Sequence, residues 1–423
     1  MGRTLIRGGS VLSLGARTQN FAEADVLIEG GLIVEVGTDL RSRAAEEVNA
    51  TDTIVMPGLV DAHHHLSLSL FRGLDRSVKP DLPLGPEDVY AATLVGLLAA
   101  AEAGTTTVVD WADGSLGRDH TTATLRAHAD SGLRTVFVLA GIDPVDLPAA
   151  FEHATVAVGP TTTIAYGSPD LDAANGPRVS SSWEVARRLG LRIHACAGTR
   201  PGESGVVAQA SSMLGNDVTL IHCTHLDGAD LDAIASTGTQ VVLTPASDMT
   251  KGAGSPPVQQ LIDRSIQVGL GVGDTLASPV DIFAQMRQVI SLQHATYFDL
   301  KLAGKAGLPN LLTTREVIRY GTGNAARAAG LGSVVGSLEP GKQADILILR
   351  TDRPNIYPIN DPIGAVVWGM DSANVEWLFV GGRPIVRRGE LEADAGLVRR
   401  LVADAQHRLG TESGSFSTPG ATA

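Results

Sequence analysis

The chain predicts an α/β fold, a (β/α)8 TIM-like barrel carrying a small composite β-sandwich built from both chain ends. Three observations carry this expectation. Strand-like and helix-like segments alternate through the middle of the 423 residues with short connections, the pattern of βα units on a parallel sheet. Eight strand-like runs can be counted, at 54–63, 105–110, 134–139, 163–166, 191–196, 218–223, 240–243 and 267–270. Both ends of the chain, by contrast, read as short β-rich runs separated by Gly and Asp-Pro turns.

The elements follow in order. Residues 1–56 hold Thr4-Leu-Ile-Arg, Ser10-Val-Leu-Ser-Leu, Asp25-Val-Leu-Ile-Glu and Leu32-Ile-Val-Glu-Val, and residues 335–395 hold Ala344-Asp-Ile-Leu-Ile-Leu, Val375-Glu-Trp-Leu-Phe-Val and Pro384-Ile-Val-Arg-Arg. These two stretches are expected to form one β-sandwich domain, with residues 57–334 as the barrel. The clearest helices are 86–103 and 182–189, where Ala and Leu recur at helical spacing and Gly closes the end. Residues 396–423 read as a C-terminal helix with a mobile Ser/Thr/Gly/Pro tail after Gly410.

Composition narrows the function. Apolar residues make up 43% and charged residues 19%, enough to bury a large core and to exclude disordered and fibrous classes. The 33 basic and 46 acidic residues leave a net charge of −13, which opposes binding to a phosphate backbone or an anionic membrane. The expected partner is a small-molecule substrate, with neither nucleic acid nor membrane. Two cysteines, Cys196 and Cys223, are too few for a disulfide framework, and with no apolar leader they point to a reduced, cytoplasmic setting.

In a barrel of this kind functional groups sit at the C-terminal ends of strands. The first strand ends in Val60-Asp-Ala-His63-His64-His65, and alternation puts His63 and His65 on one face with His64 on the other. The fifth ends in Leu191-Arg-Ile-His194, the sixth runs into His222-Cys-Thr-His225, and the eighth ends in Gly269-Leu-Gly-Val-Gly-Asp274. Four strand ends therefore carry metal-ligand types, and three imidazoles with a carboxylate around an open position make a catalytic divalent-metal site. His120, His128, His153, His294 and His407 fall on helical or loop stretches and read as packing or surface residues.

These motifs resemble the amidohydrolase superfamily, in its cytosine-deaminase-like and triazine-hydrolase branch. The resemblance spans nearly the whole chain: Pro57-Gly-Leu-Val-Asp-Ala-His-His-His with Arg72-Gly73, Gly104-Thr-Thr-Thr-Val-Val-Asp110, the His194 strand, His222-Cys-Thr-His-Leu, Thr244-Pro-Ala-Ser-Asp-Met, and Gly336-Ser-Leu-Glu-Pro-Gly-Lys-Gln-Ala-Asp345. It implies that His63, His65, His194 and Asp274 hold one divalent ion, Zn2+ ahead of Fe2+, and that Asp274 and His222 are catalytic. Asp274 would move the proton of a metal-activated water, and His222 would polarise the attacked group. Binuclear relatives use a lysine on strand four, where this chain reads Thr163-Ile-Ala-Tyr-Gly-Ser-Pro, so one ion is expected. A homo-oligomer is a further implication of the resemblance.

The expected activity is hydrolysis of a non-peptide C–N bond in a small nitrogen heterocycle, as hydrolytic deamination. The alternative is the same metal chemistry on an amide, lactam, imide or substituted triazine without ammonia release, and a lesser one is a non-catalytic binding protein. One departure motivates these alternatives: deaminases of this branch place a glutamate three residues after the strand-five histidine, where this chain has Ala197. Asp248, Cys196 and Glu203 are the candidate substitutes, with Asp248 preferred. Asp248 reads equally as a loop residue or helix cap, and Cys196 as a small core residue. Arg72, Asp110, Cys196, His225 and Asp248 are the candidate substrate contacts. Arg72 could bind an anionic group or form a structural ion pair; Asp110 could line the pocket or anchor a loop. The segment 66–85, with Phe71, Arg72, Asp75, Arg76 and Lys79, is expected to form one pocket wall.

Overall fold

The computed structural model describes residues 2–43, 45–74, 84–113, 117–172, 175–276 and 278–410. Eight parallel strands follow one another in chain order: Leu59–His64, Thr105–Asp113, Arg134–Ala140, Thr162–Gly167, Ile193–Ala197, Val218–His222, Gln240–Leu243 and Val268–Leu270. The sheet closes beyond its last strand, where His65 N donates to Gly273 O and Gly273 N donates to His63 O, both at 2.8 Å. Closure depends on Gly271, since a Cβ there would stand 2.8 Å from the backbone N and O of His63.

Helices Pro86–Glu102, Arg118–Ser131, Leu147–Ala157, Gly176–Arg188 and Gly228–Thr237 are among those that cover the outside, giving the (β/α)8 barrel that the alternation predicted. Strands buried on both faces read as continuous apolar runs, and the two faces feed two cores. Val108, Phe137, Ala195, Leu220 and Val241 pack outward under the helices. Val60, Val109, Val138, Ala165, Ile221 and Val242 fill the barrel, with Ala325 and Ala326 of helix Gly323–Ala328 packed against them.

The chain ends share one nine-stranded sheet, in which Thr53–Pro57 pairs antiparallel with Ile346–Arg350. The single run expected over 54–63 is thus two strands in two sheets. Gly58 makes the passage: a Cβ there would fall 2.1 Å from Cγ2 of Thr106, so only glycine lets the chain pass between them. Arg134 of the third barrel strand fastens the units, donating to both oxygens of buried Asp345 at 2.8 and 3.0 Å. Helix Ala395–Leu409 lies on Pro86–Glu102, where Arg408 meets Asp88 at 2.8 Å, and the tail expected after Gly410 lies outside the described residues. Among the described residues no helix is long and apolar enough to cross a membrane.

Candidate metal centre and active site

Simple alternation delivers some of the site and backbone irregularity the rest. On the fifth strand Ile193, Ala195 and Ala197 join the outer core while Cys196 packs against the inner one, so His194 and Cys196 face the barrel interior. On the first strand Val60 and Ala62 are the inner residues, which would send His63 outward. The pairing slips between Asp61 and His64, which face Val108 and Asp110 of the next strand, and this extra residue reverses the phase. His63 consequently faces His65, Trp111 and His222 with ring centroids at 4.9, 5.4 and 5.6 Å.

His222 reaches the same place by another device. Ile221 belongs to the inner core, so continued alternation would turn the next side chain away. Instead His222 and Cys223 adopt φ of 73° and 59°, left-handed conformations that cost on the order of 1–3 kcal/mol each and cluster at functional sites. The bend is tied down by Cys223 N donating to Ala197 O at 2.9 Å.

The electrostatics divide the histidines into two kinds. Burial, followed by the neighbouring His65, His222, Lys251 and His194, holds His63 well below its ordinary pKa. Burial, with Lys251 next, takes His65 down to about 3, and burial with Arg192 takes His194 to about 3. These rings are neutral at physiological pH, and both nitrogens of His63 and of His194 are buried without a hydrogen-bond partner. Neutral imidazoles with free lone pairs are what a divalent ion requires. His222 is the opposite case. Burial opposes its charge, but hydrogen bonds with Asp248 and Cys196 outweigh it and push the pKa up to about 10. Its Nδ1 lies 2.7 Å from Asp248 Oδ1 and 2.9 Å from Thr244 Oγ1.

Asp274 is buried after the last strand, with Oδ1 accepting from Leu276 N at 3.2 Å and Oδ2 in contact with the Lys251 ammonium. As the side chains stand, no group of three or more His, Cys, Asp or Glu among the described residues is gathered to hold an ion. A cation of the chain itself rests on the carboxylate of the expected set. The donor chemistry nonetheless fits a metal, since His63 and His194 each keep a ring lone pair that no hydrogen bond engages.

A cavity of about 500 Å3 opens at this end of the barrel, walled by Asp170, Cys196, Arg200, His222, Asp248 and Lys251 among others. Other candidate residues stand elsewhere. Asp110 faces outward and bonds His128 Nε2 at 2.9 Å. Arg72 donates to Val95 O at 3.3 Å on the covering helix. His225 N donates to Gly198 O at 2.9 Å, and its side chain is outside the cavity wall. Glu203 accepts from the backbone N of Thr199 and Arg200 at 2.7 and 3.2 Å, stapling its own loop. His64 turns away to Asp61 at 2.7 Å. Asp75, Arg76 and Lys79 lie outside the described residues. Trp111, Asp170, Arg200 and Lys251 were not singled out as site residues. Trp111 was accessible by alternation, two residues after inward-facing Val109, whereas nothing local marks Lys251.

A model of the amidohydrolase family matches residues 54–175 and 179–385. The chain belongs to the amidohydrolase family. This amidohydrolase is 29% identical over 426 residues to a 5'-deoxyadenosine deaminase of Methanothermobacter thermautotrophicus, covering 92% of this chain and 94% of that one. It is 28% identical to a 5-methylthioadenosine/S-adenosylhomocysteine deaminase of Symbiobacterium thermophilum, covering 90% and 93%. Among solved structures, a zinc-bound adenosine deaminase from Xanthomonas campestris superposes with a TM-score of 0.82 at 22% identity, covering 96% of this chain and 98% of that one. The atrazine chlorohydrolase of Arthrobacter aurescens in complex with zinc gives 0.80 at 22% identity, covering 96% and 100%. These likenesses establish the barrel fold, and the family makes the protein a hydrolase of C–N bonds other than peptide bonds.

Proposed function

We propose that this amidohydrolase deaminates a small nitrogen heterocycle with one divalent ion, Zn2+ ahead of Fe2+, held by His63, His65, His194 and Asp274. The observation that carries the reading is the pairing of buried, unpartnered, neutral His63 and His194 with a charged His222 at one barrel mouth. Bound there, the ion would supply Lewis acidity that brings a water's pKa toward neutrality.

The chain's own groups do the rest. Asp274 Oδ2 accepts a proton from the attacking water and returns it to the departing amine, so the C–O bond forms, the C–N bond breaks and ammonia leaves. His222, kept protonated by Asp248, hydrogen-bonds the negative charge that develops on the attacked group. Trp111 packs edge-to-face with His63 and tilted beside His65, with centroids at 5.4 and 6.3 Å, and restricts the orientation of His63. Ala197 packs in the outer core, so no acid can project from that position, and Asp248 acting through His222 is the substitute.

The reading is tested by measuring ammonia release from zinc-loaded protein across amino-pyrimidines, purines, pterins and triazines. Ammonia from at least one of them is expected. Full zinc occupancy with none released favours the second reading, hydrolysis without ammonia release, which the alanine at 197 motivates.

A further inference from the structure

The cavity wall carries three cationic side chains, Arg200, Lys251 and His222, and two carboxylates, Asp170 and Asp248. Four of the five are matched in two pairs: His222 bonds Asp248 at 2.7 Å, and Arg200 meets Asp170 at 3.2 Å. Lys251 differs, because the carboxylate it touches is Asp274, a group outside the cavity wall and inside the proposed ligand set. Arg200 also reaches Glu203 at 3.5 Å, yet that carboxylate is already engaged by backbone N–H groups of Thr199 and Arg200.

The Lys251 ammonium occupies Asp274 Oδ2, so a divalent ion drawn to that oxygen would compete with it and repel it as a like charge. Lys251 is the partner free to yield, since its side chain is 41% exposed and has room to move, while Asp274 is buried. Among the described residues Lys251 has no other carboxylate partner, so displacement leaves an unmatched positive charge in the cavity of a chain whose net charge is −13.

We propose that the substrate of this enzyme carries an anionic group, a carboxylate on or beside the heterocycle, and that displaced Lys251 anchors it. The proposal rests on the metal-dependent reading above and narrows its substrate class. Metal loading then does two things at once: it completes the reactive centre and exposes the ammonium that recognises the substrate. An uncharged heterocycle lacks the group that would neutralise the freed ammonium.

The test uses zinc-loaded protein and matched pairs, cytosine-5-carboxylate against cytosine-5-carboxamide and pterin-6-carboxylate against pterin-6-carboxamide, with binding read by calorimetry. In at least one pair the carboxylate is expected to bind about tenfold or more tightly, with the advantage shrinking at high salt. Lys251→Met should lower that ratio severalfold. Chelator competition should show Lys251→Met holding zinc more tightly than wild type, by about tenfold, because its tethered competitor is gone. No carboxylate advantage in either pair, including no binding by any of the four, overturns the anionic-substrate proposal; unchanged zinc affinity in Lys251→Met overturns the displacement. Tight carboxylate binding without ammonia release would count against deamination and leave the anion anchor standing, whereas ammonia from the carboxamides alone would do the reverse.

Discussion

His222 and Asp248 form a buried ion pair at the barrel mouth, with Nδ1 and Oδ1 2.7 Å apart and Thr244 Oγ1 donating to the same carboxylate oxygen at 3.0 Å. The pair sets the charge of the ring that faces the cavity. Because the folded pKa is raised to about 10, the imidazolium persists through neutrality and is lost only as pH rises past that value.

Asp248→Asn removes the counter-charge and leaves burial, which opposes protonation, as the dominant influence on His222. Turnover at neutral pH is expected to fall by roughly 10²-fold or more, and the alkaline limb of the pH–rate profile to move down by about 1–3 units. A profile that keeps its alkaline limb in this variant would detach His222 protonation from catalysis.

The metal-free protein is expected to lose stability as the solution is acidified. His65 and His194 have folded pKa values of about 3, below the ordinary 6.5, so between those values the unfolded chain binds protons that the folded chain refuses. Each group then contributes a slope of about 1.4 kcal/mol per pH unit, stability falling with pH from 6.5 downward. Thermal unfolding across pH 4–8 should show a shallower fall for His194→Gln. Parallel curves for variant and wild type would contradict the burial of a neutral His194.

Asp110 and His128 tie the second barrel strand to helix Arg118–Ser131 on the outer face, both fully or almost fully buried. Asp110→Ala is expected to destabilise the fold by roughly 3 kcal/mol by stranding its partner. Zinc stoichiometry and substrate KM should remain near wild type in the folded variant. A large rise in KM with little change in melting temperature would instead place Asp110 in substrate binding.

Much of the barrel was legible because its strands are short apolar runs buried on both faces, and no other periodicity competes with them. The seventh strand, Gln240–Leu243, falls at the expected residues, and the eighth begins at Val268 rather than 267. The first was overextended because apolar residues continue on both sides of Pro57-Gly58, the dipeptide at which the chain changes sheet and where Gly58 passes close to Thr106. At the site, pairing His63 with His65 followed from period-two alternation. That this pair faces inward depends on a bulge after Asp61, and the aim of His222 depends on two left-handed residues. Neither irregularity has a glycine to announce it. Asp110 illustrates the converse, since alternation with inward Val109 and Trp111 already assigns it to the outside. Lys251 sits in the loop after helix Pro245–Thr250, and its approach to Asp274 is a tertiary contact across 23 residues of chain that no local pattern encodes.

The most direct test of the metal centre is elemental analysis of purified wild type beside His194→Ala after equilibration with zinc. About one equivalent is expected in wild type, with most of it lost in the variant because one of the unpartnered buried imidazoles is gone. Undiminished, tightly held zinc in His194→Ala would contradict the ligand set on which the account depends.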